Sequence, residues 1–336
     1  MLQVFLKTVT IMAVFSAFAV PGFILKKCKM IGDGGMLTLS NVLLYVCQPA
    51  LAIKAFCVFE PDDWQTIQSI ETPLLLKNFG IAAAISVLAI GVVFGLCKLV
   101  FIKAKDRRAA DVYSFIAVFS NCGFFGIPFV EMFTDGNPLA VMYIMVFNVF
   151  FNLLVWTLGV YLLTGDFREI RVKKLLLNPA ILANFVALLL FFVPQINIFM
   201  MDGVKEFRIF PQYLAYMTAP LSMIIVGVRL AETPVKELFC IKGVYLAGVL
   251  RLIVAPLVTL AICLPFRYLI SGATPFEEYV CLAPIIAMTM SPAASVVAMA
   301  ERFDGDKKTA TSAFVTGTVL SIATIPLMMT LITAIF

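Results

Sequence analysis

Residues 120–128 read Ser-Asn-Cys-Gly-Phe-Phe-Gly-Ile-Pro (SNCGFFGIP), inside a run otherwise apolar enough to sit in lipid. Two glycines and a proline weaken or break a helix there, and Ser120 and Asn121 bring polar groups with them. In hydrocarbon an unpaired backbone group is costly, so a break at this depth needs protein or a water-filled cavity around it. The reading of the whole chain turns on what such a break is for.

The surroundings establish that the depth is real. The 336 residues are 62% hydrophobic and 13% charged, with a mean hydropathy of +1.03, whereas a soluble domain is about a quarter charged. Apolar runs of about twenty residues, the length that crosses a bilayer core, recur throughout. The chain reads as an all-α polytopic membrane protein with the lipid bilayer as its main partner. The run from Val4 to Leu25 is long and lacks a small-residue cleavage site followed by a soluble domain, so it reads as a first span and not as a signal peptide.

Several function classes fall away. Eight cysteines (Cys28, Cys47, Cys57, Cys97, Cys122, Cys240, Cys263 and Cys281) show no CxxC spacing, and the chain has no histidine. A zinc site and disulfides are therefore not expected, and no cofactor is. The net charge of +5 is spread over loops and does not point to nucleic acid. An intramembrane enzyme needs a nucleophile–base pair, paired aspartates or a metal triad, and none falls at membrane depth. No Walker-type GxxxxGK[ST] occurs, so ATP drive within the chain is not expected.

Ten spans are predicted, at 4–25, 37–58, 78–101, 112–133, 139–163, 178–199, 210–230, 241–265, 277–300 and 309–334, with short connections. Asn178 as cap and Pro179 at the first helical position mark the start of the sixth. Alternate loops hold 18 of the 25 basic residues: Lys26, Lys27, Lys29; Lys98, Lys103, Lys105, Arg107, Arg108; Arg168, Arg171, Lys173, Lys174; Arg229, Lys236, Lys242; and Arg302, Lys307, Lys308. The intervening loops hold Lys77, Lys205, Arg208 and Arg267. By the positive-inside rule the first set is cytoplasmic and both termini lie outside a multi-pass cytoplasmic-membrane protein.

Five spans in each half force the second half to be inverted relative to the first, the plan of many secondary transporters. Two landmarks share one offset: Pro49 and Pro220 are 171 positions apart, and so are Ser120 and Ser291. The expected domains are a first five-helix repeat (1–164), a cytoplasmic connection (165–177) and a second, inverted repeat (178–336). The fourth and ninth spans then occupy equivalent positions, broken and crossing at mid-membrane. Backbone near Ser120–Pro128 and Met290–Ala294 is expected to be non-helical. Half-helix ends exposed at such a crossing bind an anion without a charged side chain.

These residues, with Gly22-Phe23-Ile24-Leu25-Lys26-Lys27, Leu39-Ser40 to Pro49-Ala50-Leu51, Ala219-Pro220-Leu221-Ser222 to Ala231 and Ser291-Pro292-Ala293-Ala294-Ser295, carry a resemblance over nearly the whole chain. The chain resembles the auxin efflux carrier family of membrane transporters, whose bacterial members include proteins assigned to malonate and malate. The resemblance implies ten helices in two inverted repeats, crossing fourth and ninth helices and an elevator-like motion. Spans 1, 2, 6 and 7 would form a scaffold; spans 3–5 and 8–10 would carry the substrate. Auxin itself is not implied, and the long central loop of the plant carriers is missing.

The candidate binding residues are Ser120, Asn121, Cys122, Gly123 and Pro128 at the first break, and Ser291 and Pro292 at the second. Ser and Asn there either hydrogen-bond a substrate's oxygens or satisfy backbone freed by Pro and Gly. Asn148 and Asn152, spaced i, i+4, share a helix face and point into the bundle or a cavity. Gln48 is a candidate from the side of the second span. Arg251, ionisable near the centre of a span, marks a functional site by default and suits a two-pronged contact with a carboxylate; the alternative is a misplaced span and an arginine at an interface. Lys54 is expected to reach toward an interface. With no Asp or Glu at mid-span, a proton relay is not visible, while sodium on backbone carbonyls would leave no signature. The expected function is secondary transport of a small organic anion, a mono- or dicarboxylate, with a proton or sodium ion as coupling partner and a homodimer left open. A membrane sensor with a transporter-like fold is the alternative.

Overall fold

The computed structural model describes residues 1–170, 177–201, 205–233, 241–270, 277–303 and 305–336. Arg171, Lys173, Lys174 and Lys236 of the basic loops, and Cys240, lie outside the described residues. Within them the chain is helical, with no β-strand. In chain order the helices are α1 (Leu2–Lys27), α2 (Gly34–Cys57), the short α3 (Pro61–Gln68), α4 (Thr72–Val100), α5 (Arg107–Val118), α6 (Cys122–Phe133), α7 (Pro138–Thr164), α8 (Pro179–Phe192), α9 (Glu206–Glu232), α10 (Lys242–Arg267), α11 (Tyr279–Thr289), α12 (Ser295–Arg302) and α13 (Lys307–Ile335). Seven of the described helices (α1, α2, α4, α7, α9, α10 and α13) are long and apolar enough to cross a membrane.

Helix starts follow from their capping residues. Asn137, Asn178, Asp106 and Asp306 each accept a backbone N–H of the first turn, and Pro138 and Pro179 open their helices, where a missing N–H costs nothing. The sixth predicted span is shorter than expected: α8 stops at Phe192, two residues before Pro194, which cannot supply the next N–H. Proline also explains three widened, π-type turns, Leu43–Cys47, Cys122–Gly126 and Leu250–Val254, each ending two residues before a proline (Pro49, Pro128, Pro256). The ring crowds the carbonyl four residues back and the amide proton is gone, so the preceding turn opens to i→i+5 bonding.

The tightest packing joins α1 to α9, where two glycines let backbones touch. A β-carbon on Gly22 would lie 2.1 Å from the Ile224 carbonyl oxygen, and one on Gly227 would lie 1.9 Å from that of Ala19. Helices α8 and α9 pack on α2, while α4, α7, α10 and α11 pack on one another and α10 also lies on α13. Small residues at such contacts matter in lipid, where helix association rests on close packing rather than on expulsion of water.

Charge gathers at the two ends of the bundle. At the end that holds the start of α1, Lys7 pairs with Asp135 at 2.7 Å and Arg208 with Glu60 at 3.5 Å. At the other, Glu232 pairs with Lys26 at 2.8 Å and Arg229 at 3.3 Å.

Gly227→Ala is expected to lower the thermal midpoint of the detergent-purified protein, because overpacking costs about 1–3 kcal/mol. Gly95→Ala, with no atom within 4 Å of its new methyl, should raise the midpoint or leave it unchanged.

Candidate functional site

Helices α5 and α6 are separated by Phe119–Asn121, and α11 and α12 by Met290–Ala294. The first break is shorter than the sequence suggested. Cys122–Gly126 is a widened helical turn that runs into the α-helix at Ile127, so Cys122 to Pro128 is helical. Wide i→i+5 bonding accommodates Pro128 without interrupting the helix; the Phe125 and Gly126 N–H groups both reach the Asn121 carbonyl, at 3.1 and 3.0 Å.

The two breaks touch. Ser120 and Pro292 face each other as an antiparallel bridge. The Asn121 N–H donates to the Ser291 carbonyl at 2.7 Å, and the Ala293 N–H donates to the Phe119 carbonyl at 3.0 Å. Two unwound segments thus satisfy each other's backbone in a place where Ser120 and Ser291 are fully buried. Gly317 of α13 makes room for the second break, since a β-carbon there would lie 2.5 Å from Pro292 Cγ. Sequence reasoning missed Gly317; a lone glycine in the tenth span was its signal.

Polar side chains converge on the start of α6. A β-carbon on Gly123 would meet Asn148 Oδ1 at 2.7 Å and Gln48 Nε2 at 3.0 Å, so the glycine leaves space for amides from α7 and α2. The Cys122 thiol donates to Asn148 Oδ1 at 3.7 Å, which turns the amide nitrogen the other way. Gln48, Asn121 and Asn148 are 6%, 3% and 1% exposed, and Gln48 Nε2, Asn121 Nδ2 and Asn148 Nδ2 have no hydrogen-bond partner. Asn121 does not cap α6 with its side chain. Ser291 Oγ and Thr218 Oγ1 are also buried and unpartnered. A buried donor without an acceptor is costly and rare, and here two carboxamides beside Gly123 and a third two residues before it each carry one.

Other candidates sit differently. Asn152 donates to the carbonyl of Asn148 at 2.8 Å, within its own helix, and does not join the cluster. Pro128 is half-buried at the start of the regular part of α6. Arg251 is fully buried and not at an interface. In place of the carboxylate fork expected of it, its terminal nitrogens serve backbone: Nη1 donates to the carbonyls of Ala117 (3.0 Å) and Val118 (2.9 Å), and Nη2 to that of Met288. Lys54 pairs with Glu131 of α6 and lies 4.3 Å from the centre of the Tyr216 ring of α9. The pair was not legible in sequence because its partners are 77 residues apart. A surface cavity of about 300 Å³ lined by Asp63, Thr66, Asp135 and Asn137 lies elsewhere and shares no residue with the crossing.

An all-helical membrane protein whose buried interior holds two crossed chain breaks has the form of a membrane carrier. Residues 163–329 match the model of the family described as membrane transport protein, which supports the resemblance to the auxin efflux carriers. The match includes Arg251, Ser291 and Pro292; Gln48, Asn121, Gly123 and Asn148 precede it. No curated protein is significantly similar to the chain.

Gly317→Ala should push Pro292 aside and loosen the bridge, which amide hydrogen exchange at Asn121 and Ala293 would register as faster exchange together with a lower melting temperature. Gly248→Ala, whose new methyl would have its nearest neighbour at 3.8 Å, should change neither.

Proposed function

We propose that the protein is a secondary transporter that carries a small organic anion, a mono- or dicarboxylate, across the cytoplasmic membrane. The observation that carries this reading is that three carboxamides in and beside the first turn of α6, those of Gln48, Asn121 and Asn148, are buried with amide nitrogens that lack acceptors. A carboxylate offers acceptors only, and its charge is favoured at a helix N-terminus, where free N–H groups and the positive end of the dipole face it. The Asn121 amide, unused as a cap, is free for such a ligand. Ser120, Cys122, Ser291 and Pro292 shape the crossing around it through the backbone bridge and the Cys122–Asn148 contact.

In this reading the ten-span plan holds, with the fourth span divided into α5 and α6, the ninth into α11 and α12, and repeats at 1–164 and 178–336 related by inversion. Donors come from the second, fourth and fifth spans, so the ligand bridges the scaffold (spans 1, 2, 6, 7) and the mobile group (spans 3–5, 8–10). An elevator-like displacement of that group presents the ligand to either side. The Lys54–Glu131 pair joins the second span to the fourth across the same divide. Both termini are placed outside.

Counterflow in proteoliposomes tests the reading, since only a carrier exchanges labelled for unlabelled substrate across the bilayer. Malonate and malate head the panel. Asn121→Ala and Asn148→Ala should each lower apparent affinity about 10- to 150-fold, the cost of roughly 1.5–3 kcal/mol for a hydrogen bond to a charged group. Asn152→Ala should leave it unchanged. No exchange of any carboxylate by the wild type, or equal exchange by all three variants, rules the site out.

For topology, single cysteines at Asp63 and Lys105 should react with an impermeant thiol reagent from opposite sides of the membrane, Asp63 from outside. Labelling from one side at both positions contradicts the ten-span plan.

A further inference from the structure

The crossing leaves two kinds of orphaned backbone group, and they are handled differently. Helices α5 and α11 both end at the breaks, and the carbonyls of a last helical turn have no partner within the helix and carry the negative end of its dipole. Three of these carbonyls, those of Ala117, Val118 and Met288, converge on one guanidinium, with the Met288 sulfur 3.6 Å from Nη2 as a further contact. Arg251 is fully buried, and its terminal nitrogens meet backbone carbonyls and this sulfur, with no carboxylate among the described residues. Its position follows from the widened turn Leu250–Val254 ahead of Pro256.

A ring of inward-facing carbonyls from two unwound helices is the chemistry that holds a monovalent cation in membrane carriers. Here the cation is part of the chain. We infer that Arg251 is the resident cation of the crossing, a positioning residue that ties the C-terminal ends of α5 and α11 together and removes the need for a sodium ion on those carbonyls. The inference rests on the crossing being the transport site, yet it concerns the carbonyls that end α5 and α11 and not the amide donors. It also accounts for the arginine's failure to offer its fork to a substrate: both prongs are engaged. Charge alone meets most of the requirement, because carbonyl oxygens take any compact cation.

The test uses the full-length protein in detergent, with no substrate, so its outcome does not depend on which anion is carried or on whether transport is found. Melting is followed in sodium, potassium and choline chloride at equal ionic strength. The wild type should melt at the same temperature in all three. Arg251→Ala should melt lower in choline and recover roughly 5 °C or more, saturably, on addition of sodium chloride, because the vacated carbonyls then bind the ion. Arg251→Lys should melt close to the wild type and show no response to sodium. A merely structural arginine would give a low-melting alanine variant that sodium chloride does not rescue, and that result overturns the proposal. Saturable stabilisation of the wild type by sodium over choline overturns it as well, and that measurement stands even where the alanine variant does not fold.

Discussion

Everything in the core of this protein answers one constraint: backbone freed by a helix break inside an apolar bundle must be partnered by the bundle itself. Part of the debt is settled reciprocally, as the N–H groups of Asn121 and Ala293 reach the carbonyls of Ser291 and Phe119 across the crossing. Arg251 takes the carbonyls of Ala117, Val118 and Met288. The accounting is not symmetric. Carbonyls at the ends of α5 and α11 are occupied by protein, whereas the side-chain amide nitrogens of Gln48, Asn121 and Asn148, and Arg251 Nε, are left over.

Backbone proximity of this kind depends on what the neighbours lack. Gly123 has no β-carbon to fend off the amides of Asn148 and Gln48, and Gly317 has none to strike Pro292. Farther out, Gly22 and Gly227 bring α1 and α9 into backbone contact and so fix the wall on which Ser222 touches the Phe124 carbonyl at 3.4 Å. Prolines act through the turns before them. Pro49 leads to the open turn just ahead of Gln48, Pro128 to the one that starts α6, and Pro256 to the one that carries Arg251. The same ring that forbids a regular turn thus bears on the positions of Gln48 and Arg251.

Charged residues complete the picture away from the crossing. Lys54 is held by Glu131 and by the face of Tyr216, and so links three helices, α2, α6 and α9, on one side of the bundle. Only part of each side chain is exposed, 12% for Lys54 and 26% for Glu131, so the attraction is less screened than at a free surface. The other ion pairs sit at the bundle ends, where water shares their charge.

The amino-acid sequence by itself determined the solvent this chain lives in and the neighbourhoods in which its apolar runs break, because hydropathy, proline and glycine act locally. Asn178 capping its helix through the Ala180 N–H was legible for the same reason. The choice between two readings of Arg251, substrate ligand or interface residue, was not: its partners in the structure, the carbonyls of Ala117, Val118 and Met288, carry no side-chain signature and lie 134, 133 and 37 residues away. Nor did spacing separate Asn148 from Asn152, which share a face on any helix diagram; only tertiary packing sets one beside Gly123 and turns the other onto its own backbone. Patterns local to a helix are written in the order of residues, whereas the pairing of donors with acceptors across a buried crossing exists only once the helices have met.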